Sequence, residues 1–182
     1  LSGTGGGGGG GSAGNSGSTN YLNQRTTGGF GGSGIVIIKY TTALPLPASP
    51  IIISQYIETS SGTTPKGIEL WNVSGASIDF SVHPLTILKG SNGGTPSLDA
   101  TVNTGVIASN EVMVIGTSDI GTYLTSNGLA SVLYQSKSFT FNGDDALMVM
   151  IDGDTSDVFG EPGVDPGSSW SGNGVSTANQ NI

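Results

Sequence analysis

The chain contains no cysteine and little charge, and each of these deficits excludes a class of protein. Without cysteine the chain has neither disulfides nor thiolates, so it is not a disulfide-stapled small secreted domain. Charged residues make up 10% of the 182 residues, well below the roughly 25% of a typical soluble domain. No apolar run approaches the roughly 18 residues of a membrane-spanning helix, so we expect no membrane span.

Basic residues are scarce and scattered. Thirteen acidic residues outnumber the five basic ones, which gives a net charge of −8. The cations occur singly, at Arg25, Lys39, Lys66, Lys89 and Lys137. Nucleic-acid-binding proteins gather such residues into a basic patch, so we expect no nucleic-acid partner.

The sequence offers no recognisable catalytic set. Its one histidine, His83, precedes Pro84 in a loop-like stretch without a nucleophile motif, which argues against a Ser-His-Asp arrangement. The glycine run is not followed by the Lys, the Ser or Thr and the helix of a phosphate-binding loop. We therefore predict a non-enzymatic protein with no catalytic residue, no metal site and no cofactor.

Glycine, by contrast, is abundant. Of the 32 glycines, fifteen lie in residues 1–34, including the unbroken run Gly5–Gly11. Such a segment has nothing to bury, so we expect a neighbour to order it, either as a linker lying against another surface or as a layer of packed polyglycine helices. The β-branched run Ile35–Tyr40 then predicts a strand that pairs with a neighbour. Residues 1–40 are thus expected to contact other protein chains of the same assembly.

A proline-rich linker, residues 41–50, separates this segment from a region of a different kind. From Ile51 to Ile182 short β-type runs alternate with Gly, Asn and Ser clusters, which predicts an all-β antiparallel sandwich. A short helix is expected at Asp119–Thr125. The candidate strands are Ile51–Glu58, Gly67–Asn72, Phe80–Lys89, Ala100–Ile107, Val112–Thr117, Ser138–Phe141, Ala146–Ile151 and Asp157–Phe159. The predicted core residues are Ile53, Ile57, Ile68, Leu70, Leu85, Ile87, Val112, Val114, Phe141, Leu147, Val149 and Val158.

Three blocks of residues 51–182 resemble the lamin-tail domain found in bacterial extracellular proteins, including secreted nucleases. The blocks are Ile53–Glu58 with Lys66–Asn72, Gly105–Ile115, and Phe139–Ala146 with Asp157–Gly167. The resemblance implies an immunoglobulin-like β-sandwich in which the Asn-Gly-Asp-Asp turn is structural. One departure is that the family places a further strand after Ser-Thr-Ala, whereas this chain stops at Ile182. We expect either that this strand begins at the very end or that the chain continues; because it opens on Leu1, we also expect a segment or processed product of a longer polypeptide.

A second resemblance concerns the glycine-rich segment. Gly28–Tyr40 is similar to the closing segment of glycine-rich domains in phage tail fibres and large surface proteins. Together the two resemblances imply a structural or adhesive module on a virion surface or in an extracellular, cell-surface assembly, as in a phage tail fibre, head fibre or capsid decoration protein. The alternatives are an accessory domain of a bacterial secreted or surface protein, for example attached to a nuclease, and a calcium-dependent carbohydrate-binding module. A host-surface glycan or protein is a further candidate partner.

Five carboxylates leave three interpretations open. They are Asp144, Asp145, Asp152, Asp154 and Asp157. Calcium takes six to eight oxygen ligands, which closely spaced acids could supply in part; a solvated acidic hairpin loop and carboxylates that cap backbone amides are the other two interpretations. Trp71 and Trp170 are expected in the core or at its rim, and Trp170, if exposed, is the better candidate for stacking on a sugar.

Overall fold

The computed structural model describes residues 46–59 and 63–182, which form two four-stranded sheets packed face to face. The all-β sandwich predicted from the sequence is therefore confirmed. The expectations for Gly5–Gly11 and Ile35–Tyr40 lie outside the described residues.

The structure contains twelve strands within the described residues. They are β1 Ile51–Glu58, β2 Lys66–Asn72, β3 Ile78–Asp79, β4 Leu85–Gly90, β5 Ser97–Val102, β6 Val106–Ile107, β7 Val112–Gly116, β8 Leu133–Ser136, β9 Ala146–Ile151, β10 Asp154–Phe159, β11 Ser171–Gly172 and β12 Val175–Ser176. Helix α1 spans Ser118–Ser126, which agrees with the short helix expected at Asp119–Thr125.

The strand order explains why a helix interrupts the strands of the sandwich. The first sheet has the order β1-β2-β7-β8 and the second has the order β10-β9-β4-β5. Neighbouring strands are antiparallel except β7 and β8, which are parallel. Parallel neighbours cannot be joined by a tight turn and need a crossover connection. Helix α1 lies in that connection.

Helix α1 packs on the sheet at a pair of glycines. Gly67 of β2 and Gly116 of β7 are direct partners in the first sheet. A Cβ atom built on either would lie within 2.8 Å of Ile120 Cδ1 and within 2.9 Å of a backbone oxygen of the neighbouring strand. The bare backbone at this pair therefore lets Ile120, the buried residue of α1, reach the outer face of the sheet.

The core lies between the two sheets and largely follows the predicted residues. Eight of the twelve predicted positions belong to the core or pack against it: Ile53, Ile68, Leu70, Leu85, Ile87, Phe141, Leu147 and Val149. Burying one such aliphatic side chain contributes about 1.5–3 kcal/mol.

The prediction was wrong for Ile57, Val112, Val114 and Val158. Val114 is buried outside the core, because Met113 and Ile115 are the residues of β7 that point between the sheets. A β-bulge between Ile53 and Gln55 inserts one extra residue into β1, so Tyr56 points into the core and Ile57 points out. A second bulge, between Thr155 and Asp157, leaves Val158 39% exposed. Val112 is half-buried because it lies on the outer face of the first sheet, opposite its partner Trp71.

Some strand predictions also differ from the structure. Only the second half of Phe80–Lys89 pairs, as β4, and a turn splits Ala100–Ile107 into β5 and β6. Ser138–Phe141 lies outside any strand, although Phe139 and Phe141 are buried, because both rings fill the core without a ladder of backbone hydrogen bonds. Strand β8 was not predicted, since Leu133-Tyr134-Gln135-Ser136 has a weak β pattern.

The last residues of the chain add a short strand segment to β1. Tyr56 N donates to Ile182 O at 2.6 Å and Ile182 N donates to Tyr56 O at 3.0 Å. Glu58 N donates to Gln180 O at 3.1 Å, and Ile57 and Asn181 form an antiparallel bridge.

Side chains of β10 cover the other half of the same β1 edge. Ser156 Oγ accepts from Ile51 N at 2.9 Å and donates to Ile51 O at 2.5 Å. Asp157 Oδ2 accepts from Ile53 N at 2.7 Å. An uncovered strand edge is a template for pairing with other chains, and here these backbone groups are already bonded.

Side-chain hydrogen bonds also cover the backbone of the edge strand β5 on the opposite side of the sandwich. Gln135 Nε2 donates to Thr101 O of β5 at 3.0 Å. Lys137, just after β8, donates to Asp99 O at 2.5 Å and pairs with the Asp99 carboxylate at 2.8 Å. Side-chain hydrogen bonds thus join the first sheet to the second at both of its edges.

Candidate functional site

The five carboxylates considered as calcium ligands have separate surroundings. Asp145 and Asp157 accept backbone hydrogen bonds, Asp152 pairs with a histidine, Asp154 is exposed, and Asp144 is buried. Across residues 46–59 and 63–182, no three or more Asp, Glu or His side chains are gathered as a metal ion would require. The capping interpretation describes Asp145 and Asp157.

Asp145 holds the turn that follows Phe141. Its two carboxylate oxygens accept from Asn92 N at 3.1 Å and Asn142 N at 3.2 Å, which joins this turn to the loop after β4. Burial raises the pKa of Asp145 above the usual carboxyl value, although these two hydrogen bonds and the charge of Lys89 act in the opposite direction. The Asn-Gly-Asp-Asp segment is thus a junction between two loops.

His83 and Asp152 form a close pair that the sequence did not indicate. His83 Nδ1 lies 2.6 Å from Asp152 Oδ2, although the residues are 69 positions apart. Asp152 N also donates to Pro84 O at 3.1 Å, and Asp152 has a φ of 53°, in the left-handed region. The pair fixes the β9–β10 turn against the loop before β4.

A buried ion pair connects β1 and β2 to two distant segments. Lys66 Nζ lies 3.0 Å from Glu58 Oε1, and their side chains are 11% and 5% exposed. Lys66 Nζ also donates to Phe141 O, while Glu58 Oε2 accepts from Asn179 N at 3.0 Å and from the Tyr56 hydroxyl at 3.3 Å. Burial, reinforced by Glu58, raises the pKa of Tyr56, so its hydroxyl stays protonated and can donate.

Trp170 is a structural residue and is not an open platform for a sugar. Its side chain is half-buried, and its indole N–H donates to Asp145 O at 3.2 Å. A Cβ atom on Gly160 would lie 2.6 Å from Trp170 Nε1, so the ring lies directly against that glycine. Thr177 exchanges hydrogen bonds with the Trp170 backbone and also donates to Gly143 O. Trp170 and Thr177 therefore hold Gly143, Asp145 and Gly160 together.

A groove between α1 and β1 is the candidate binding site. It encloses about 620 Å³, within the usual range of about 300–1,000 Å³ for small-molecule pockets. Its apolar part is formed by Ile57, Pro65 and Ile120, with Tyr123 63% exposed above it. Its polar part is formed by Gln55, Asp119 and Asn181. We call this site the α1–β1 groove.

Asp119 is the charged group of the α1–β1 groove. Hydrogen bonding from Thr117, with a smaller contribution from Thr64, holds its pKa below the usual carboxyl value despite some burial. Ile120 N also donates to Asp119 Oδ1 at 3.1 Å. The group is therefore an ionised acceptor at neutral pH.

Sequence reasoning missed this groove because its residues are far apart in the chain. The bulge that exposes Ile57 and the final segment that carries Asn181 both depend on long-range pairing. One local pattern pointed to it: Tyr123 follows Ile120 by three positions, so the two lie on neighbouring faces of the same helix.

Comparison of the sequence with protein-family models and with curated proteins finds no match. The likeness to lamin-tail domains accordingly remains a hypothesis. Among the described residues, no helix has the length and apolar character needed to cross a membrane.

Proposed function

We propose that this chain is a non-enzymatic structural or adhesive module of a virion or cell-surface assembly, as part of a phage tail fibre, head fibre or capsid decoration protein. The proposal treats residues 51–182 as a displayed lamin-tail-like, immunoglobulin-like sandwich. Residues 1–40 serve as the segment that contacts other chains of the assembly.

The use of ionisable side chains within the sandwich is the observation that carries this proposal. Glu58 and Lys66 neutralise one another inside the fold, and Lys137 is paired with Asp99 at a sheet edge. Asp145 fixes a junction between two loops. These ionisable groups are committed to holding strands and loops and are not free for proton transfer, which favours a scaffold.

Coverage of strand edges supports display on a surface. Side chains of β10 cover one half of β1, the end of the chain covers the other, and β5 accepts hydrogen bonds from Gln135 and Lys137. Such coverage suppresses pairing between sandwiches held close together. Contacts between copies would then fall to residues 1–40.

Hydrogen exchange tests the role of residues 1–40. In isolated residues 1–182, amides of Gly5–Gly11 should exchange far faster than those of β2 and β9, because fixing each residue costs about 1–2 kcal/mol and glycine has no side chain to offset it. The same amides should be protected in the intact assembly. Equal protection of Gly5–Gly11 and the sandwich in an isolated monomer would contradict the assembly role.

A substrate panel tests the absence of enzymatic activity. The purified chain should not hydrolyse nucleic acids, esters or glycosides, with or without added divalent cations. The decisive control is the pair of variants Asp152→Asn and Asp154→Ala, since one removes the carboxylate beside His83 and the other an exposed acid. Turnover by the wild type that either variant abolishes would overturn the proposal.

A further inference from the structure

We infer that the α1–β1 groove binds a neutral saccharide, an inference that rests on the adhesive function proposed above and supplies its ligand class. The groove is open to solvent at Tyr123, whose side chain is 63% exposed. Ile57, Pro65 and Ile120 give it an apolar floor. A cleft with an apolar floor and a few convergent polar groups is the usual form of a small-molecule site.

The polar groups of the groove are of the kinds that bond sugar hydroxyls. The side-chain amides of Gln55 and Asn181 each offer two donors and an acceptor, and the Asp119 carboxylate offers acceptors only. Neighbouring sugar hydroxyls both donate and accept, so this mixture can bond several of them at once. Asp119 is ionised at neutral pH because hydrogen bonding from Thr117 lowers its pKa.

Tyr123 supplies the apolar contact that such a ligand needs. The faces of a pyranose ring carry C–H groups, and an aromatic ring with an exposed face stacks against them while its hydroxyl remains in water. Tyr123 is not needed to hold α1 on the sheet, because Ile120 is the residue of the helix that packs against it. The Tyr123 ring is therefore free to contact a ligand.

Charge selects a neutral sugar over an anionic one. The three lysines of the described residues are all engaged: Lys66 with Glu58, Lys89 with Thr140, and Lys137 with Asp99. None of the side chains lining the groove is basic, and Asp119 is negative. A phosphate, sulfate or carboxylate on the ligand would thus meet repulsion without a compensating cation.

Saturation-transfer NMR on residues 1–182 tests this inference. The probes are the neutral trisaccharides maltotriose, cellotriose, mannotriose and N-acetylchitotriose, with 3′-sialyllactose and a lysine-rich peptide as charged comparisons. We expect at least one neutral probe to bind. Tyr123→Ala should weaken that binding by about tenfold, the equivalent of one lost aromatic contact, and Tyr123→Phe should retain most of it.

Two controls separate binding from folding. Leu98→Ala removes an equally exposed side chain, also 63% exposed, from β5 in the other sheet, and it should leave binding unchanged. The urea midpoint of Tyr123→Ala should equal that of the wild type, because an exposed side chain contributes little to stability.

Each remaining outcome contradicts the inference. It is overturned if no neutral probe binds, if Tyr123→Ala binds as well as the wild type, or if only the sialylated sugar or the basic peptide binds. The two proposals can fail separately. Protection of residues 1–40 on assembly would support the proposed function even if no saccharide bound, and saccharide binding would support the inference even if residues 1–40 were not protected.

Discussion

Removing one partner of the buried Glu58–Lys66 pair should be strongly destabilising. The two residues are direct cross-strand partners in the β1–β2 hairpin, and Lys66→Met leaves the Glu58 carboxylate buried without its cation. Breaking such a pair typically costs about 3–5 kcal/mol. Glu58→Gln should be costly for the converse reason, since it leaves the buried Lys66 ammonium with neutral acceptors such as Phe141 O and no compensating charge.

The double variant distinguishes attraction within the pair from general damage to the hairpin. Replacing a buried ion pair with uncharged residues is often neutral or even stabilising. The combination of Glu58→Gln and Lys66→Met should therefore cost less than the sum of the single changes, with a coupling of at least about 1 kcal/mol between the two sites.

Urea denaturation measures these differences. A loss of about 3 kcal/mol lowers the midpoint by about 1.5 M when m is near 2 kcal/mol per molar urea. Lys89→Met is the matched control: its ammonium bonds the exposed Thr140 hydroxyl and acts on Asp145 only through its charge, so its loss should change stability by less than about 1 kcal/mol. Single variants as stable as this control, or strictly additive effects, would refute the reasoning.

Three further predictions concern the turn junctions and the covered edge. Because burial raises the pKa of Asp145, its contribution to stability is present below pH 3.8 and is lost as pH rises through the higher pKa of the folded state. Measured by urea midpoints, the wild type should therefore become more stable relative to Asp145→Asn as pH falls from 7 to 4. Ser156→Ala should cost about 1–3 kcal/mol, because it leaves both polar groups of Ile51 unpaired. Gly160→Ala should cost at least about 1 kcal/mol and shift the fluorescence of Trp170, since φ is +75° and the new Cβ meets the ring.

Each of these predictions has a control in the same chain. Asp79→Asn should show the opposite pH trend, since hydrogen bonds from Ser81 lower the pKa of Asp79. Ser176→Ala removes an exposed hydroxyl and should be nearly neutral. Gly153→Ala has a φ of +87° but open space around the Cβ, so it reports backbone strain alone. A variant that behaves like its control would contradict the corresponding prediction.

The sequence predicted those strands whose pattern is strong over their whole length. β1 and β9 begin and end at the predicted residues, Ile51–Glu58 and Ala146–Ile151, because both are rich in large apolar side chains and bounded by polar turns. It could not predict the phase within β1, since a bulge near Ser54 is set by the partner strand. One extra residue was enough to exchange the expected positions of Tyr56 and Ile57.

The groups that make up the candidate site were beyond prediction for a related reason. Gln55, Asp119 and Asn181 come from a strand, a crossover helix and the end of the chain, and only the completed sheet brings them together. The pairing of His83 with Asp152 likewise spans 69 residues. The residue types were visible in the sequence, but their distances depend on strand order, which no local pattern specifies.

The proposed assembly divides two physical tasks between the two parts of the chain. Copies of a displayed module experience a high local concentration, where an uncovered strand edge would pair with its neighbour. The sandwich resists this by bonding its edge amides to Ser156 and Asp157 on one side, and its edge carbonyls to Gln135 and Lys137 on the other. Residues 1–40, with many backbone groups and few side chains to block pairing, are then the part suited to specific association. If copies associate through an open β1 edge, Ser156→Ala should strengthen their association. If they associate through residues 1–40, Ser156→Ala should leave it unchanged.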